Sequence, residues 1–156
     1  MEIRLVKVQR KERAVLYRLL QYSLFEESLF DQNDMDDAAL FAYPYFDLYF
    51  MEDDREAFFV REKISGQLLG FVMLNRDVQK VASGHSIAEF MVLPKYRRKR
   101  IGQQVAQQCF ELHPGNWEVS PSAGSEAAYL FWQKTIAAYT DNHYQFASGL
   151  FSFTNQ

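Results

Sequence analysis

Apolar and polar positions change period several times along the chain, and each change marks an element. Residues 3–8 alternate as a half-buried strand does. In residues 12–25 the apolar positions Val15, Leu16, Leu19, Leu20 and Leu24 repeat at helical spacing, so an opening strand is followed by a helix. Residues 26–54 mix acids with the aromatics Phe41, Tyr43, Tyr45, Phe46, Tyr49 and Phe50 around Pro44, which predicts a second, irregular helical segment. Residues 57–61 and Leu68–Asn75 are β-branched and aromatic runs joined across Ser65-Gly66, the pattern of an antiparallel hairpin. A third strand is expected over residues 86–93.

Beyond Pro94 the helical period returns. Ile101, Val105, Cys109 and Leu112 share one face before His113-Pro114-Gly115 stops the helix. Residues 117–120 read as a short strand. Ser125 suits the N-cap of a helix over residues 126–139, because its hydroxyl can accept from an unpaired first-turn N–H. Residues 143–146 and Leu150–Thr154 form a closing hairpin, with Gly149 free to take a positive φ. The order β-α-α-β-β-β-α-β-α-β-β predicts a mixed α+β fold, a largely antiparallel sheet with helices packed on it.

Composition narrows the class. At 156 residues with 48% hydrophobic and 16% aromatic content, one globular domain over residues 1–156 is expected. No apolar run is long enough for a membrane span and residues 1–7 lack a signal region, so the expected location is the cytoplasm. The single cysteine, Cys109, and three scattered histidines, His85, His113 and His143, offer neither a disulfide nor a Cys-rich zinc site, and no metal is expected. Each histidine reads as isolated, structural or exposed, and Cys109 as a buried hydrophobe.

Charge is segregated behind a net value of -3. Residues 26–56 hold eleven acids opposed only by Arg55, whereas Lys95, Arg97, Arg98, Lys99 and Arg100 put five bases into six positions. That basic run sits in a turn between a strand and a helix start. The first N–H groups of a helix lack internal partners and carry partial positive charge, so with these cations the turn suits a pyrophosphate and a further phosphate. A solvated charge run is the plain alternative. A nucleic-acid binder is set aside by the net negative charge and the eleven acids.

The segment resembles the cofactor loop of the GNAT superfamily of N-acetyltransferases, Val-x-Pro-x-Tyr-Arg-x-x-Gly-x-Gly/Ala, through Val92, Pro94, Tyr96, Arg97 and Gly102. Arg100 occupies the first loop-glycine position. Downstream, Ser125, Ala128, Phe131, Trp132 and Lys134 are similar to the family's Asn-x-x-Ala-x-x-Leu/Phe-Tyr-x-Lys helix. The resemblance implies a GNAT-like acyl-CoA N-acyltransferase fold whose sheet splays where acetyl-CoA, the co-substrate, lies between two parallel strands. It implies pantetheine contacts at Met91 and Val92, and pyrophosphate contacts at Arg97, Arg98, Lys99, Arg100, Ile101, Gly102 and Gln103. Ser125, Phe131 and Trp132 would face the cofactor.

Transfer of the acetyl group to a primary amine needs the amine neutral. Glu89 stands where many family members place a carboxylate and is the candidate base, on the face opposite Ala88, Phe90 and Val92. Trp132 replaces the family's tyrosine acid, and indole N–H is too weak an acid, so the proton donor is another group or water; Tyr129, one turn earlier on the same helix, is the candidate, ahead of Tyr139, with core or rim packing as its plain alternative. Tyr43, Tyr45, Asp47 and Tyr49 are the candidate acceptor residues, suited to a cationic amine. The rival reading is a non-catalytic acyl-CoA-binding or regulatory module on the same fold, favoured by Arg100 and Trp132. The aromatics Phe151 and Phe153, together with the 41–50 cluster, admit a homodimer if they are exposed.

Overall fold

In a computed structural model that describes residues 1–156, seven strands form one sheet and three α-helices cover its faces. Strand β1 (Ile3–Lys7) leads through a single 3-10 turn into α1 (Arg13–Asp31). β2 (Glu56–Glu62), β3 (Leu68–Asn75) and β4 (His85–Val92) follow as an antiparallel meander. Then come α2 (Ile101–Leu112), β5 (Asn116–Val119), α3 (Glu126–Thr140), β6 (Gln145–Ala147) and β7 (Leu150–Thr154). The strand order is β1-β2-β3-β4-β5-β7-β6, and β4–β5 is its one parallel pair. No helix is long and apolar enough to cross a membrane.

The architecture agrees with the mixed α+β expectation, with local corrections. α1 continues six residues past Phe25, until Gln32 takes a left-handed φ of 63° and caps it through Ser28 O. The expected second helix is a loop with a five-residue 3-10 turn, Phe46–Phe50. Three of its aromatics, Phe41, Phe46 and Tyr49, fold inward and are buried, whereas Tyr45 is exposed. Asp36 explains part of the loop, since its carboxylate accepts from the amides of Ala38 and Leu40 and so competes with helical bonding. In the closing hairpin β6 begins two residues later than expected, and Ser148 and Gly149 take φ of 54° and 74° in a two-residue turn. Phe151 and Phe153 are buried rather than exposed, which removes the tail patch behind the dimer expectation.

Two cores sit on opposite faces of the sheet. Leu16, Leu19 and Leu20 of α1 pack with Phe59, Phe71, Met73 and Met91 on one face. Val105, Cys109 and Phe110 of α2 and Ile136 of α3 pack with Val60, Val72, Trp117 and Phe151 on the other. A register shift in β4, where Met73 pairs with Glu89 but Leu74 with Ile87, is a β-bulge at Ala88. It puts Ala88 with the α1-side core, on the same side as Glu89, and corrects the expected opposition of those two residues.

Candidate active site

β4 and β5 pair only at His85–Trp117 and Ser86–Glu118. Beyond Ser86 the strands part, so the β5-facing backbone of β4 has no strand partner. Glu118 fixes the junction: its buried carboxylate accepts from the amides of Gln79 at 2.6 Å and Lys80 at 2.8 Å. The parted strands, α1, the basic turn and the start of α3 enclose a cleft of about 710 Å³.

The basic turn forms one end of this cleft. The amides of residues 98–103 donate to no backbone or side-chain acceptor, whereas Arg97 N and Gln104 N on either side bond to Pro94 O and Arg100 O. Six consecutive free amides therefore open the turn and the first helical turn of α2. Arg98 and Arg100 both take φ of 62°, the left-handed conformation that turns successive N–H groups into one concavity. Gly102 has a separate reason to be glycine, because a Cβ there would lie 2.9 Å from the Phe131 ring and 3.3 Å from Phe90. The concavity, its cations and the unpaired edge of β4 fit an extended ligand with a pyrophosphate at one end, as a coenzyme A thioester has.

Phe131 and Trp132 form the α3 wall, with ring centroids 5.0 Å apart, and Phe90 stacks on Phe131 and packs tilted against Trp132. Ser125 also lines the cleft and caps α3, accepting from Ala128 N at 3.1 Å. Of the loop residues expected there, Lys99 points elsewhere, with its ammonium 5.9 Å from the centre of the Tyr96 ring. Tyr129 is a second correction. Its ring packs on Phe146 and Phe151 at 5.1 and 5.5 Å and does not line the cleft.

Glu89 projects into the cleft from β4, and its buried Oε1 has no hydrogen-bond partner. Desolvation pushes its carboxyl up to about 8, the charges of Glu27 and Asp31 add to the rise, and the Tyr43 hydroxyl pulls the other way. Burial and the Glu89 charge likewise raise the Tyr43 phenol. The other acceptor candidates lie apart from the cleft. Asp47 pairs with Arg13 at 2.6 Å, and Tyr45 and Tyr49 flank the Arg55 guanidinium at 5.7 and 5.6 Å. The acids that do line it are Glu26 and Glu27 on α1, beside Ser23 and Phe30. Their 23, 26, 27, 30 spacing is a helical stripe that becomes readable only once α1 is known to reach Asp31.

Elsewhere, His85 and His113 are not isolated. Their rings stack at 3.9 Å, and His113 Nε2 contacts Glu56 Oε1 at 2.5 Å.

The family model "Acetyltransferase (GNAT) family" matches residues 18–134. Among curated proteins, none matches the chain. Solved structures share the fold at low identity. An acetyltransferase from Thermus thermophilus is 13% identical with a TM-score of 0.67, covering 99% of this chain and 97% of that one. An aminoglycoside 6'-N-acetyltransferase from Acinetobacter baumannii is 12% identical with a TM-score of 0.60, covering 86% and 89%. Spermidine N-acetyltransferase from Vibrio cholerae, solved with CoA and spermine, is 12% identical with a TM-score of 0.59, covering 98% and 95%. The family match spans most of the chain and takes in both the basic turn and the first part of the cleft helix α3: the chain belongs to the GNAT family of acetyltransferases.

Proposed function

We propose that the chain is a single-domain N-acetyltransferase that moves an acetyl group from acetyl-CoA to a primary amine by direct attack in a ternary complex. The observation that carries this reading is Glu89, a carboxyl with an unpartnered buried oxygen at the parting of β4 and β5. Acetyl-CoA supplies an acyl group activated as a thioester. The amides of residues 98–103, with Arg98 and Arg100, hold the phosphate end, and the open edge of β4 at Met91 and Val92 aligns the pantetheine arm. Phe131 and Trp132 exclude water along α3.

The amine arrives as an ammonium that loses its proton near pH 10. A carboxylate at about 8 is a far better acceptor than one at an ordinary value: from an amine near 10.4 the transfer costs about 3 kcal/mol rather than about 8. The environment that raises Glu89 therefore equips it to receive the proton, directly or through water. Glu26, Glu27 and Asp31 favour a cationic acceptor at the α1 side of the cleft. This shifts the acceptor contacts from the loop residues Tyr45, Asp47 and Tyr49 to α1, while Tyr43 remains beside Glu89.

Trp132 in place of a tyrosine and Tyr129 outside the cleft leave the departing thiolate to water, and these two features favour the rival reading, a module that binds acyl-CoA without turnover. The test is calorimetric titration of acetyl-CoA, followed by thiol release with a panel of diamines and basic peptides. Turnover that falls at least a hundredfold in Glu89→Gln with acetyl-CoA binding retained supports the enzyme. Binding with no thiol release from any amine supports the module, and no binding at all refutes both.

A further inference from the structure

Arg97 makes two sets of contacts. Its Nε donates to the Val92 carbonyl at 2.8 Å, which fixes the guanidinium to the end of β4. Its terminal nitrogens donate to both carboxylate oxygens of Glu26 at 2.7 and 3.1 Å, a bidentate pair between the turn and α1. Both residues line the cleft next to the six free amides. Of the five guanidinium N–H donors, one is thus committed to Val92 and two to a carboxylate of the chain itself.

We propose that Glu26 is a positioning residue that occupies Arg97 in the free protein and competes for it with the pyrophosphate of the cofactor; this rests on the acetyl-CoA reading above. The electrostatics on the two sides of the exchange differ. Arg97 gains a doubly charged partner, while Glu26 loses its one hydrogen-bonding partner and is left beside Glu27, whose own carboxyl is already held up by burial, Asp31 and Glu26. The pair can be exchanged because it is open to water, its side chains being 41% and 46% exposed. An exposed pair of this kind contributes little to stability, and releasing it changes affinity by about two- to fivefold. Glu26 thus occupies the terminal guanidinium nitrogens until phosphate displaces it, at a small loss of cofactor affinity.

The experiment titrates acetyl-CoA and, separately, inorganic pyrophosphate into the wild type, Glu26→Gln, Glu26→Asp, Arg97→Ala and the Arg97→Ala/Glu26→Gln double variant. Glu26→Gln should tighten both ligands about two- to fivefold, Glu26→Asp should fall between it and the wild type, and Arg97→Ala should weaken both. In the Arg97→Ala background the Gln substitution should have no effect, since the competition passes through that guanidinium. A strut that merely pins α1 to the turn predicts the reverse, a lower melting temperature in Glu26→Gln with equal or weaker binding, and that result overturns the proposal. If the wild type binds neither ligand, the acetyl-CoA reading itself fails. If all Glu26 variants bind acetyl-CoA with wild-type affinity, only the competition fails.

Discussion

Replacing Glu89 by glutamine should change how stability depends on pH, without any knowledge of substrate. The folded protein holds the Glu89 proton up to about pH 8, whereas an ordinary glutamate releases it near 4.5. Between these values the native state binds more protons than the unfolded chain, so stability falls as pH rises through the window and levels off above about 8. The window of 4.5 to about 8, at about 1.4 kcal/mol per pH unit, sets an upper bound on the order of 5 kcal/mol. Water in the open cleft screens the ion and lowers the figure. Glutamine has the same shape and never ionises, so the variant should match the wild type near pH 5 and gain on it progressively to pH 9. Urea unfolding at pH 5, 7 and 9, with the slope m checked for constancy, measures the gap directly. Any offset from exchanging an acid for an amide is independent of pH and drops out of the comparison. Parallel profiles for the two proteins would refute the assignment of a raised carboxyl to Glu89 and, with it, the base proposed for the reaction.

Three further outcomes follow from local geometry. Arg100→Gly relieves a left-handed φ of 62° and should raise stability by about 1 kcal/mol, read as a higher melting temperature. Gly102→Ala sets a methyl 2.9 Å from the Phe131 ring; it should cost about 1 to 3 kcal/mol by overpacking and weaken acetyl-CoA binding, because the displaced ring lines the cleft. His85 is lowered to about 4 by burial first, then by His113 and Arg76, with Glu56 opposing. A histidine kept neutral in the fold contributes stability above its unfolded value of 6.5 that is lost as pH falls towards 4. Denaturation midpoints of His85→Gln should therefore decline less over that acidic range than those of the wild type.

Elements with a strong period were legible in the sequence, and features set by register or by distant partners were not. α2 announces itself through Ile101, Val105 and Cys109, and the Ser125 cap forms as its hydroxyl predicts. The loop after α1 misleads because its aromatics occupy near-helical positions, yet Asp36 and the inward packing of Phe41 and Phe46 stabilise an irregular path instead. Ala88 cannot be assigned a face from alternation, since a bulge breaks the period of two at that residue. The motif around residues 92–102 gives the location of the turn, whereas its six free amides are a property of the fold. Tyr129 has the right spacing on α3 but packs against the rings of the β6–β7 hairpin. His85 and His113 are twenty-eight positions apart in the chain, and nothing local records that β4 begins where α2 ends.

The two residue pairs that join β4 to β5 also make the sheet a hinged plate. The core beneath α1 draws its strand residues from β2, β3 and β4, with none from β5, β6 or β7, whereas the core beneath α2 and α3 runs across the seam. The two wings are thus bound together on one face only. Any flexing about that seam would widen the α1 side like the cover of a book while the spine kept its packing, directing the movement into the cleft and away from the interior. A ligand lying between the wings would act as a splint, and slower amide exchange at Trp117, which pairs at the seam and does not line the cleft, would register its arrival.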